Sequence, residues 1–278
     1  LAAGALNRLA QNHWRNNEPE QAVKYWERAY DEFGNSNTHE VRTARDNAIA
    51  YYIGTRQYDQ IEEFLGAAEG DDGHRHWIVK HIWDEGFHGL RHRRGWHEFR
   101  HAKLGDKNTM LEGFWDYFKT RKAWFAAVGD HWGYYNRALR IVCERYNNRD
   151  ARQAMIDDAL SFVKQKEQAG PAEEQSAAEH EEAIWKWYAD MVNIVVRSYA
   201  GPQEVRNLID ETTRFVAGMK TPEKDAKFAY MVDKLREAGL IDQARHLTRK
   251  LADRTLAAWH EYRLLAAENK WQEAEKKL

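Results

Sequence analysis

Apolar residues recur at helical spacing from one end of this 278-residue chain to the other, with short polar breaks between the segments. Alternating runs of β-branched residues, which are typical of strands, are nearly absent. Only four prolines interrupt the chain, which favours long continuous helices. The sequence therefore predicts an all-α protein.

The predicted helices follow one another in antiparallel pairs. Residues 4–16 and 19–33 form the first pair, and Pro19 suits the first turn of its second helix. Residues 40–53 and 58–69 form the second pair around the polar turn 54–57. Further helices are predicted at 75–90, 95–104, 108–128, 131–147, 150–168, 176–199 and 203–217.

The second helix carries a small-aromatic-small pattern, Ala22-x3-Trp26-x2-Ala29. Small residues let two helices approach, and the bulky residue fills the groove toward the next pair. This pattern resembles the tetratricopeptide repeat (TPR), a helix pair with a period of about 34 residues. The corresponding first-helix positions hold Leu6, Leu9 and Ala10.

Two later segments resemble the turn inside such a repeat, followed by the small residue of the second helix. They are Leu235-x2-Ala238-Gly239-x2-Asp242-Gln243-Ala244 and Ala267-Glu268-Asn269-Lys270-Trp271-Gln272-Glu273-Ala274. The spacing is irregular, because Ala22 to Ile61 is 39 residues and Ala244 to Ala274 is 30. Residues 74–217 keep the helices without the full pattern.

The resemblance implies an α-solenoid whose helix pairs coil into a right-handed superhelix with a concave groove. We expect residues 1–278 to form a single array, with a weak candidate boundary at 170–175. We also expect a longer parent protein, since the chain begins at Leu1 and ends inside a predicted helix. Targeting signals, and hence the compartment, are not open to inference from such a piece.

Charge and composition narrow the classes of partner. Lys and Arg number 42 against 44 Asp and Glu, so no overall field favours nucleic acid. No apolar run approaches the roughly 20 residues that cross a bilayer, which argues against membrane insertion. The single cysteine, Cys143, excludes an internal disulfide, and its apolar neighbours predict a buried thiol.

Histidines concentrate between residues 74 and 101, which hold seven of the thirteen in the chain. His88 and His92 stand four apart, as do His97 and His101, a spacing that on a helix places two imidazoles on one face. Such a face is compatible with a metal, but nearby glycines and tryptophans favour packed, hydrogen-bonded histidines. We therefore predict no metal and no other cofactor.

The same segment is rich in cations and predicts a basic patch for an acidic partner segment, although a solvated arginine-rich connection explains it as well. Nucleic acid is less favoured, because phosphate-driven binding needs a broader basic face. The predicted partner-binding residues are His88, Arg91, His92, Arg93, Arg94, Trp96 and Arg100.

Aromatic residues are also dense between Phe114 and Tyr135, and again at Trp185, Trp187 and Tyr188. Helical spacing favours a core function for these rings. The alternative is a stacking platform for a peptide or for sugar rings.

No phosphate-binding loop or nucleophile elbow is present in the sequence, and we predict no catalytic residue and no enzyme. The leading interpretation is a scaffold that binds a protein or peptide segment in a concave helical groove. The alternatives are a carbohydrate-binding helical module and a metalloenzyme centred on the histidines.

Overall fold

The computed structural model describes residues 2–36, 38–66, 70–87, 107–198 and 202–277. Within these ranges the chain forms fifteen α-helices and no strand, which confirms the all-α prediction. The backbone contacts divide the chain into two compact units, residues 1–141 and 142–278. Residues 170–175 lie inside the second unit, where they connect two helices.

The first unit contains α1 to α7 and most of α8. Their bounds are Ala2–Arg15 (α1), Pro19–Phe33 (α2), His39–Gly54 (α3), Tyr58–Phe64 (α4), Asp72–His81 (α5), Lys107–Thr120 (α6), Lys122–Ala127 (α7) and His131–Glu144 (α8). A 3₁₀ turn at Gly34–Ser36 follows α2, and a π-helical turn at Ile82–Phe87 continues α5.

The second unit contains the remaining helices. Their bounds are Arg149–Ala169 (α9), Ala177–Arg197 (α10), Pro202–Gly218 (α11), Lys224–Glu237 (α12), Ile241–Thr248 (α13), Arg254–Ala267 (α14) and Trp271–Glu275 (α15). Side-chain caps start several of them. Ser176 and Glu179 form a reciprocal capping box before α10, while Asn148 and Asp253 cap α9 and α14.

One turn geometry joins the helices of five pairs. A residue with positive φ ends the first helix, and the next residue donates its N–H to the carbonyl five positions earlier at 2.9 Å. This is the Schellman turn, in which a left-handed residue satisfies the last carbonyls of a helix. The left-handed residues are Asn17, Arg56, Gly129, Gly239 and Asn269.

The position five residues after each left-handed residue is buried, so each turn sets the second helix in the same register. Ala22, Ile61, Ala244 and Ala274 are all 0% exposed, and Tyr134 is 3% exposed. The small residues quoted from the sequence therefore lie at helix contacts. Leu9 is a correction, because it is 43% exposed and does not pack as a first-helix core residue.

Helices of the second unit contact their sequence neighbours and the next helix but one. The pairs α10 with α11, α12 with α13 and α14 with α15 are each in contact. In addition, α10 contacts α12 and α12 contacts α14, so first helices of successive pairs touch directly. In the first unit, α1 contacts α2 and α3 in the same way.

Three predicted helices differ from the structure. The helix predicted at 58–69 ends at Phe64, and a turn follows at residues 65–66. The segment predicted as one helix at 108–128 is divided at Arg121, whose N–H bonds to the carbonyl of Phe118, three residues back. This shorter bond tightens the turn and separates α6 from α7. The helix predicted at 75–90 changes to a π turn at residue 82, and the one at 95–104 lies outside the described residues.

Candidate functional site

The predicted partner-binding residues lie outside the described residues, as do the histidine pairs of the same segment. Those partner-binding residues are His88, Arg91, His92, Arg93, Arg94, Trp96 and Arg100. They stay a prediction from sequence.

Three histidines at the start of the histidine-rich segment are described, and each has a packing function. His74 and His81 both stack on Trp77, with ring centroids 5.4 and 5.1 Å from that of the indole. Burial lowers the pKa of His81 to about 4, so its ring is neutral at neutral pH. His76 lies 3.5 Å from Asp130. Among the described residues, no group of three metal-binding side chains comes together.

Most aromatic residues between 114 and 135 lie in the core of the first unit, as their helical spacing predicts, whereas Trp115, Trp124 and Trp132 are half-buried. Six are nearly inaccessible to solvent, at 0–4% exposure: Phe114, Tyr117, Phe118, Phe125, Tyr134 and Tyr135. In the second unit, Trp185 and Tyr188 are also buried, and so is the Cys143 thiol. The buried rings are therefore not available for stacking with a ligand, whereas Trp187 is half-buried.

Arg121 connects the core of the first unit to its surface. Its guanidinium pairs with Glu62 and, at 3.1 Å, with Asp59. The same group lies over Tyr117 and Trp124, 5.6 and 5.4 Å from their ring centres. Burial raises the pKa of the Glu62 carboxyl, although the arginine opposes this effect. Because both acids and both rings hold it, Arg121 is a structural cation.

The clearest ordered surface lies where the first helices of the second unit meet. Lys227 on α12 is only 5% exposed, and its ammonium reaches Glu182 on α10 at 2.6 Å. The same ammonium lies 5.0 Å from the ring centre of Trp185. The ion pair with Glu182 and the cation–π contact with Trp185 both stabilise this lysine, because a buried cation needs a paired charge or a ring face.

Tyr230 lies one turn further along α12 and is half-buried. Its hydroxyl donates to the carbonyl of Ala189 at 3.4 Å, and its ring meets Trp185 edge-on at 5.9 Å. The ammonium of Lys234 lies 5.6 Å from the Tyr230 ring. Burial and the nearby charge of Asp190 raise the pKa of the Tyr230 hydroxyl.

Ionisable side chains make the contact between α12 and α14. Arg263 reaches Asp233 at 2.6 Å, and His260 lies 3.8 Å from the same carboxylate. Burial lowers the pKa of His260. We call the surface that carries Trp185, Lys227, Tyr230, Asp233 and Arg263 the first-helix face. Trp185 and Lys227 are buried within it, whereas Tyr230, Asp233 and Arg263 are half-buried and reach solvent.

Sequence reasoning did not single out the first-helix face, apart from naming Trp185 as an aromatic. Its residues lie on separate helices, and their spacing in the sequence does not form a short motif. The helix-pair pattern around Gly239 was the available signal, because it identifies α12 as a first helix.

In comparisons with known proteins, no family model, no curated protein and no solved structure matches the chain. Among the helices that the structure describes, none has the length and apolar character needed to span a membrane.

Proposed function

We propose that the chain is a protein-binding scaffold of stacked helix pairs, whose first helices bind a segment of a partner protein. The observation that carries the proposal is the direct contact of α10 with α12 and of α12 with α14. When first helices touch in succession, their outer surfaces join into one continuous face. A partner segment lying across them would contact several helices at once.

The recurring Schellman turn supports the repeat character of this scaffold. Four second helices, α2, α4, α13 and α15, begin after a residue with ψ between 57° and 63°. One turn conformation used repeatedly gives every pair a similar crossing geometry, and similar pairs stack with a constant small rotation. A TPR-like right-handed superhelix is the arrangement that we propose.

The first-helix face has the chemistry of a binding surface. Tyr, Trp and Arg are the residues that most often carry binding energy at protein interfaces. On this face Tyr230 and Arg263 are half-buried and fixed by contacts with adjacent helices, Tyr230 against the buried Trp185 and Arg263 against Asp233. Fixed side chains lose little conformational entropy when a partner binds, which favours affinity.

A displayed library of random peptides tests the proposal. We expect the chain to select peptides that bind with micromolar affinity, and the double variant Tyr230→Ala with Lys234→Ala to weaken them about tenfold or more. The matched control is His246→Ala with Lys250→Ala, which removes a ring and a cation from exposed positions in and after α13. Circular dichroism confirms that each variant is folded.

Three results would count against the proposal. Failure to select any peptide is the first, and equal weakening by the control variant is the second. The third is selective binding on a glycan array without peptide binding, which would favour the carbohydrate alternative and the exposed Trp259 and Trp271. The sequence-predicted basic segment is tested in the same assay with Arg91, Arg93, Arg94 and Trp96 changed to alanine.

A further inference from the structure

A pocket of about 350 Å³ lies in the second unit, at one end of α9, α10 and α11. Its apolar lining comes from Ile184, Phe215 and Met219, which are themselves 1–8% exposed. Small-molecule sites usually measure about 300–1,000 Å³, so this volume is at the low end of that range. It is large enough to admit an apolar side chain of a partner.

The charged wall of this pocket is already fixed by ion pairs. Arg214 makes two bonds of 2.9 Å to the carboxylate of Glu167 and a third, of 3.0 Å, to Glu211. Glu211 also accepts from Lys164 at 2.8 Å, and the Tyr188 hydroxyl donates to Glu167 at 3.2 Å. A bidentate arginine pair orients both partners, so the wall keeps its shape when the pocket is empty.

The surroundings of the pocket are acidic. Residues 167–185 contain six glutamates and no lysine or arginine. Glu167 and Glu182 have cationic partners, whereas Glu173, Glu174 and Glu181 form no ion pair with any described residue. Glu181 lines the pocket itself. Unpaired carboxylates beside an apolar cavity attract a partner with positive charges next to an apolar group.

Cations on the α11 side of the pocket do not cancel this charge. Arg214 is held by two glutamates, and the Lys224 ammonium donates to the carbonyl of Ala217 at 2.7 Å. The carbonyl is neutral, so the charge of Lys224 remains, and Lys220, next to Met219, is a second cation there. The three unpaired glutamates outnumber these two lysines.

We propose that this pocket receives one apolar side chain of a partner segment, such as Leu, Met or Phe, with Lys or Arg at neighbouring positions. The basic side chains lie against Glu173, Glu174 and Glu181. This inference rests on the proposed function, because it names the chemistry of a segment that the scaffold holds. It adds a contact point formed by residues other than those of the first-helix face.

Gly218 provides a direct way to close the pocket. It lines the cavity at the end of α11, and a Cβ built there meets no atom within 4 Å. Its φ lies outside the left-handed region, so a side chain causes no backbone strain. Gly218→Leu should therefore fold normally and occupy the space of the ligand side chain. Ala217→Leu is the matched control, since Ala217 is exposed and outside the pocket lining.

Three pools of synthetic peptides, labelled with fluorescein, serve as probes. The first has a central Leu or Phe with Lys and Arg on both sides, the second has the same centre with Glu on both sides, and the third has a central Ala with Lys and Arg. Fluorescence anisotropy measures their affinity at about 0.15 M salt, where surface charges still act over about 8 Å. We expect only the first pool to bind below about 100 µM.

The variants then separate the apolar from the charged contribution. Gly218→Leu should weaken the first pool about tenfold or more, while Ala217→Leu leaves it unchanged. Glu174→Gln with Glu181→Gln should weaken it about threefold to tenfold and reduce its salt dependence. Asp210→Asn removes one exposed carboxylate of α11 that does not line the pocket, and this control should have little effect.

Absence of binding by the first pool would overturn the pocket inference, and so would equal binding of the Glu-flanked pool. Equal affinity for Gly218→Leu and the unaltered chain would overturn it as well. If library-selected peptides respond to Tyr230→Ala but not to Gly218→Leu, the scaffold proposal stands and the pocket inference fails. The reverse pattern supports the pocket and removes the first-helix face from the binding surface.

Discussion

Removing the buried hydroxyl of Tyr117 is a core substitution that should stabilise the protein rather than destabilise it. Tyr117 is 0% exposed, and its hydroxyl oxygen has no hydrogen-bond partner among the described residues. A buried polar group without a partner costs about 1–3 kcal/mol. The ring itself is well packed, because its centroid lies 5.6 Å from the ring centroid of Tyr58 and 5.6 Å from the guanidinium carbon of Arg121. Tyr117→Phe should therefore stabilise the protein by about 1 kcal/mol.

Tyr58 supplies the matched control for that substitution. Its hydroxyl donates to the carbonyl of Gly113 at 3.1 Å, so Tyr58→Phe removes a real hydrogen bond and should destabilise by about 0.5–1.5 kcal/mol. Urea unfolding measures both effects. With a slope of about 1–3 kcal/mol/M, a change of 1 kcal/mol moves the midpoint by roughly 0.3–1 M. A lower midpoint for Tyr117→Phe would refute the reasoning, because it would show that the hydroxyl has a partner.

Three further predictions concern packing and ionisation. Gly113→Ala should lower the free energy of unfolding by about 1–3 kcal/mol, because the new Cβ would lie 2.6 Å from the carbonyl oxygen of Ile53. Urea unfolding measures this change. Gly218→Ala is the control and should be tolerated. The pKa of Glu211 is lowered by a lysine ammonium, so its ion pairs stabilise the fold above its unfolded pKa of about 4.3 and are lost as pH falls. Glu211→Gln should thus reduce the thermal midpoint at pH 7, and this reduction should become smaller as the pH falls below about 4.3. NMR titration of His81 should give a midpoint of about 4, and a midpoint near 6.5 would show that its ring is not buried.

The sequence predicted the helix pairs of the chain well where turns carry local signals. Pro19 at a first turn and Gly239 after a last turn both mark helix ends through their own backbone preferences. Two other left-handed residues, Arg56 and Asn269, occupy the same turn with a side chain. Arginine in that conformation has no comparable sequence signal, since only the surrounding helices hold it there.

The first-helix face could not be predicted from the sequence, because it depends on how the helices pack. Lys227, Glu182 and Trp185 act together because three side chains from two helices meet, and the distance between them depends on how the pairs stack. A lysine on a helix usually indicates a solvated surface, yet this one is 5% exposed. Similarly, Leu9 followed the helical pattern but faces solvent, because no described helix covers its side of α1.

Hydrogen–deuterium exchange with a selected peptide bound is the most direct test of the scaffold proposal. If the first helices hold the partner segment, binding should slow amide exchange in α10, α12 and α14 while α13 exchanges as before. Slower opening of several first helices by one ligand follows from their successive contacts. Protection confined to α13, or no change in α10, α12 and α14, would contradict the proposal that the first-helix face binds the partner.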